Sequence, residues 1–192
     1  MNHKGGSDPV LVMEDSHSGY IFAWGVPRKG VDEWVVKAAS KALDFTGRKE
    51  YHLKCDREEA LKALRNAIKD VRSNTTERVM IERSRHYEPQ SNGRAEAAVG
   101  IVKSQLRTMV SGLSRRYKRE IDTSEAIIPW AVQHAAALIS RAQVGKDGKT
   151  RHERLRGKKY RVPQVEFGEY YGGRKQRRGA WRTTGTRECS WE

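Results

Sequence analysis

Between residues 10 and 113 the apolar positions switch repeatedly between a period of two and a period near 3.6. That alternation restricts the chain to helices layered on a sheet. Residues 10–14 (VLVME) and 20–26 (YIFAWGV) are β-prone and flank DSHSG, a turn composition, which predicts a hairpin. PRKGV at 27–31 breaks the strand. DEWVVKAASKALDF then places Trp34, Val35, Ala38, Ala42 and Phe45 at helical spacing between Asp32 and Gly47, predicting a helix over 32–46. YHLKC predicts a strand at 51–55 that ends at Asp56. Leu61, Leu64, Ile68 and Val71 predict an amphipathic helix over 57–72, ERVMIE a strand at 77–82, and the residues from 93 to 117 a long helix. The order strand, strand, helix, strand, helix, strand, helix predicts an α/β fold with a mixed sheet. Pro129 starts a further helix carrying Val132, Ala135, Ala136 and Ile139, GKDGKT is a turn, and RHERLRG is a short helix.

The chain has 192 residues, enough for one packed core with additions. Its 38 Lys and Arg against 24 acids give a net charge of +14, which points to nucleic acid as partner. The charge is concentrated late: residues 141–192 hold 15 basic and six acidic residues. After Gly172 neither period is visible, so that segment is expected to be disordered and to track phosphates. Cys55 and Cys189 have no metal-ligand spacing, no apolar run is long enough to span a bilayer, and residues 1–9 are polar. A protein inside the cell, neither secreted nor in a membrane, is the expectation. Trp24, Trp34 and Trp130 are expected in the core, and Cys55 is expected to turn inward from its strand.

The stretch HYEPQSNGRAEAAVGIVKSQLR at 86–107 runs from a polar loop into the long helix. Ser91 or Asn92 can cap that helix, and Glu96 falls in its first turn. Lys103 and Arg107, seven and eleven positions on, lie on the same face as Glu96. Ala98, Val102, Leu106, Met109 and Leu113 form a stripe opposite. The pattern suits a plain solvated face equally well. Asp56 stands at the carboxyl end of a strand, where α/β sheets hold their sites, and two carboxylates from separate elements suit Mg²⁺ or Mn²⁺. Asp56 also suits the N-cap of the helix over 57–72.

VLVMEDSHSGYIFAWGV, then LKCD before a helix, then YEPQSNGRAE opening a basic helix, together resemble the catalytic core of retroviral and retrotransposon integrases. The resemblance covers roughly residues 9–110, and DGKTRHERLRGKKY at 147–160 is similar to the post-core segment of copia-type elements. It implies a ribonuclease H-like mixed sheet flanked by helices and an Asp-Asp-Glu triad binding two divalent metals. It further implies strand transfer of element DNA into target DNA, a multimeric state and a nuclear location, with no small-molecule substrate. Asp56 matches the family's second aspartate and Glu96 its glutamate. Tyr87 and Asn92 match the active-site loop, and Lys103 matches a DNA-contacting helix position. Arg107 joins the DNA-binding set from helical phase alone.

In that family the first aspartate lies on a central strand that precedes the hairpin and stands between it and the strand at 51–55. Here only MNHKGGSD precedes the hairpin, so the chain is expected to lack that strand, leaving the two halves of the sheet apart. Asp8 and Asp15 are weaker substitutes, because neither has a rigid strand placement. Two functions follow from this: a metal-dependent polynucleotidyl transferase, or a catalytically inactive nucleic-acid-binding remnant. The expected organisation is a core over 1–118, a helical post-core extension over 119–160 and a basic tail over 161–192.

Overall fold

The computed structural model describes residues 9–56, 58–73, 78–82, 93–164 and 166–168, with the backbone alone at 174–177 and 180–183. Two units are distinguished, Met1–Arg161 and Val162–Glu192. In the first, β1 (Val10–Glu14) and β2 (Ile21–Gly25) are followed by α1 (Glu33–Thr46), β3 (Glu50–Lys54), α2 (Glu59–Arg72) and β4 (Arg78–Glu82). Then come α3 (Gly93–Tyr117), α4 (Ile127–Ala142) and α5 (Arg151–Arg156). The predicted order of elements is therefore present.

β1 and β2 pair antiparallel, with Leu11 opposite Trp24, Val12 opposite Ala23 and Glu14 opposite Ile21. Because successive side chains point to opposite faces, the hairpin supplies two cores. Leu11, Met13 and Trp24 pack with Val35, Ala39 and Leu43 of α1, Tyr51 of β3, Leu64 and Ile68 of α2 and Val79 of β4. Ile21, Ala23 and Val12 pack with Ala98, Val102 and Leu106 of α3 and Val132, Ala136 and Ile139 of α4. Each fully buried valine among these contributes roughly 1.5–3 kcal/mol through removal of its apolar surface from water.

β3 and β4 pair in parallel, with Tyr51 opposite Val79 and Leu53 opposite Ile81. They form a sheet separate from β1–β2. A continuous mixed sheet is thus not formed among the described residues. A ladder needs strands about 4.8 Å apart. β1 and β3 instead meet through side chains in a shared core.

α1 is capped by Asp32, whose carboxylate accepts the amides of Trp34 and Val35, and it ends at Gly47 with φ 69°. Its buried positions are Val35, Val36, Ala39, Ala42 and Leu43, which share Val35 and Ala42 with the predicted stripe but not Trp34, Ala38 or Phe45. This corrects the reading of Trp34, which is 48% exposed, and Trp130 on α4 is likewise 54% exposed. In both helices small or β-branched residues fill the close contacts and the indole is left on the outer flank. Trp24 is half-buried and does face a core. The N-cap of α2 is Glu58, with no side-chain bond to the helix, so Asp56 does not serve as its cap.

α4 lies on β2 through Ala131, Val132, Ala135, Ala136, Ile139 and Ser140, all buried. Ser140 Oγ accepts the Ile21 amide at 2.9 Å and donates to the Ile21 carbonyl at 3.1 Å, satisfying both backbone groups at the start of β2. A Cβ on Gly25 would sit 3.0 Å from Cα and Cβ of Pro129, so glycine sets the closeness of strand and helix there. α5 begins with a capping box between Thr150 and Glu153 and ends at Gly157 with φ 70°.

In the second unit, expected to be a tail without regular structure, two short strands lie at 174–177 and 180–183. β5 (Arg174–Arg177) and β6 (Ala180–Thr183) pair antiparallel. Periodicity over four-residue strands is too short to register in a sequence window.

Arg72 is a polar keystone of the first core. It is buried, donates to the Ser40 carbonyl at 3.0 Å, reaches Asp44 Oδ1 at 2.9 Å and lies 5.4 Å from the centre of the Tyr51 ring. Arg72→Ala is expected to lower the unfolding free energy by about 2–4 kcal/mol in denaturant titration, because these acceptors lose their partner. His152 is also buried, edge-on to Tyr160 with ring centres 5.2 Å apart. Burial lowers its pKa, and Arg141, Arg156 and Lys158 push the same way. The unfolded chain therefore takes up a proton near pH 6.5 that the folded chain refuses. Stability is expected to fall as pH drops below about 6.5, and His152→Phe should flatten that slope in pH-dependent unfolding.

Candidate active site on α3 and at the end of β3

The apolar stripe of α3 packs as its spacing requires: Ala98, Val102 and Leu113 are buried, and Leu106 and Met109 half-buried. Helical phase then decides where the polar residues go. Glu96, Lys103 and Arg107 are all exposed, with Glu96 in the first turn, where the positive end of the helix dipole favours a carboxylate. Arg107 also borders an apolar cleft beside Val10, Gly25, Leu106 and Pro129. Tyr87 and Asn92, together with Ser91 and the rest of residues 83–92, lie outside the described residues.

Asp56 follows β3 by two residues and is exposed. Cys55 beside it is half-buried, and burial raises its thiol pKa. The end of β3 is joined to that of β4 by Lys54 and Glu82 at 3.7 Å, and Arg65 of α2 donates to the Glu82 carbonyl at 3.2 Å. Among the described residues no group of three His, Cys, Asp or Glu side chains is arranged to hold a metal ion. Asp56 and Glu96 each have the oxygen chemistry that Mg²⁺ or Mn²⁺ takes, and among the described residues neither belongs to a three-donor group.

Asp8 lies outside the described residues, and Asp15 is committed elsewhere. Its Oδ2 accepts the Ser18 amide at 2.9 Å, the Ser18 hydroxyl at 2.5 Å and Arg48 Nη2 at 3.0 Å. Burial alone would raise the carboxyl, but the Ser18 hydroxyl and amide and the Arg48 charge outweigh it and hold the pKa below its ordinary value. Asp15 is a turn-forming residue that fastens the β1–β2 connection to the chain entering β3.

Sequence reasoning missed Glu14 and Arg94. The Glu14 Oε1 meets Arg94 Nη2 at 3.1 Å, tying the last residue of β1 to the turn that carries Glu96. One signal was available: an arginine in the first turn of a helix opposes the dipole and calls for a nearby acid.

With this geometry described, comparison with solved structures is informative. The chain matches a chain of the simian T-cell lymphotropic virus intasome, solved by cryo-electron microscopy in complex with PP2A regulatory subunit B56 gamma, with a TM-score of 0.54 at 18% identity. The fold is integrase-like. The match takes in 88% of this chain and 54% of the other, so the chain spans about half the length of that relative. The catalytic core domain of BIV integrase is also similar, at 17% identity over 76% of this chain and 84% of that one, with a TM-score of 0.46. No protein-family model matches the chain. No curated protein matches it either. No helix among the described residues is long and apolar enough to cross a membrane.

The role given to Asp15 has a measurable sign. Its folded pKa lies below the unfolded value near 3.9, so the stabilisation is present above that pH and is lost as pH falls through the folded value. Asp15→Asn is expected to destabilise by about 1–3 kcal/mol at pH 7 and by less near pH 3, measured by chemical unfolding at both pH values.

Proposed function

We propose that this chain is an integrase-type core of a retrotransposon that acts on DNA through metal-dependent phosphoryl transfer. Asp56 and Glu96 would hold Mg²⁺ or Mn²⁺, while Lys103, Arg107 and the basic tail engage DNA phosphates. The observation that carries this reading is the division of α3, with a packed apolar face and an exposed face bearing one acid and two bases. The exposure of Asp56 at the end of a parallel strand supports it, as does the assignment of the α2 cap to Glu58. A bound divalent ion would supply stabilisation of charge on phosphoryl oxygens. The carboxylates' contribution is to hold that ion beside a basic surface. Self-association and a nuclear location belong to the same proposal.

A second reading, a nucleic-acid-binding remnant without chemistry, is favoured by the lack of a three-donor group among the described residues. Strand transfer on a short duplex separates the two: turnover that disappears with Asp56→Asn supports the enzyme, and none under any divalent ion supports the remnant.

Calorimetric titration with Mn²⁺ is expected to show binding that Glu96→Gln weakens at least tenfold, and equal affinities would overturn the metal reading. Duplex affinity is expected to fall linearly in log–log form with salt. Lys103→Ala should reduce the slope by about one, as loss of one phosphate contact requires.

A further inference from the structure

We propose that Glu14 is the positioning residue of the turn that carries Glu96, a role that rests on the reading of Glu96 as a metal ligand. Residues 93–97 are all exposed, and the first buried side chain of α3 is Ala98. The opening turn therefore has no apolar anchor. It also bears Arg94, a cation at the positive end of the dipole, where a further carboxylate beside Glu96 is favourable. Glu14 supplies it from outside the helix. Its side chain is 18% exposed against 61% for Arg94, so the acid is the fixed partner and the arginine reaches to it.

Glu14 is itself well placed to act as a fixed point. It is the last residue of β1 and lies opposite Ile21, whose amide and carbonyl are both held by Ser140 of α4. Arg151 at the start of α5 is within electrostatic reach of Glu14. Burial lowers the pKa of that guanidinium, and the Glu14 carboxylate opposes the shift. The Arg151 Nε lies 3.6 Å from the point where a Cβ of Gly19 would be, and its Nη1 donates to Gln143 at 2.5 Å. One carboxylate thus ties the start of α3 to the end of the hairpin. An exposed pair adds little to global stability. Its effect falls on the local opening of the first turn, where nothing else apolar holds.

The test uses the full chain with Glu14→Gln, Arg94→Gln, the double variant and Arg94→Lys. The amides of 97–100 bond to the carbonyls of 93–96, so their hydrogen exchange reports the turn. Each single Gln variant is expected to speed that exchange by about two- to fivefold, with α4 exchange and the unfolding midpoint unchanged. The double variant should be no worse than either single, the non-additivity of a direct pair, and Arg94→Lys should retain protection. Mn²⁺ affinity should fall in step with the exchange. Unchanged exchange in the single variants, or additive effects in the double, would overturn the proposal. A response in exchange without any change in Mn²⁺ affinity upholds the tie to the turn and overturns the assignment of Glu96 instead.

Discussion

The first unit depends on a two-stranded hairpin buried on both faces. A lone hairpin is marginal in water. β1 and β2 persist because alternation sends Leu11, Met13 and Trp24 into one core and Val12, Ile21 and Ala23 into another. Each core brings its own helices, α1 and α2 on one side and α3 and α4 on the other. Small residues keep the second core tight, since Ala131, Ala135 and Ala136 let α4 approach the strand and Gly25 admits the backbone of Pro129. The helix that bears the candidate site is thereby set by its packing on the hairpin.

Several arginines are fastened to carboxylates. Arg48, Arg72, Arg94, Arg119 and Arg154 are each paired with a carboxylate, and Arg72 is buried while doing so. Such residues fasten elements together and offer less to a polyanion than their formal charge implies. Lys103 and Arg107 are exposed on the site-bearing helix. A net charge of +14 predicts long-range attraction for a polyanion but does not identify which cations would meet it.

Much of this was legible along the chain. Asp32 and Gly47 marked the ends of α1 because a cap and a left-handed glycine are local chemistry. The stripe from Ala98 to Leu113 fixed the buried side of α3, and hence the exposed side of Glu96, Lys103 and Arg107, through the 3.6-residue period. Trp34 and Trp130 misled, since hydrophobicity alone does not fix which side of a helix meets the core, and both are exposed. Asp56 was ambiguous for a related reason. Whether a carboxylate caps a helix depends on where the first turn starts, and α2 starts two residues later than predicted, counting from residue 57 to Glu59.

What the sequence determined by itself were properties of single elements: their order, their periods, their caps and the side of each helix that meets a core. These follow from backbone geometry and from interactions within a few residues. The tertiary structure alone decided which distant charges meet. Glu14 and Arg94 are separated by 80 positions and Arg48 and Asp15 by 33, and no local rule pairs them. Their meeting is set by how two cores clasp one hairpin. It also decided that the antiparallel and parallel pairs remain separate sheets, because strand pairing is a matter of spacing between elements that no period in the sequence records.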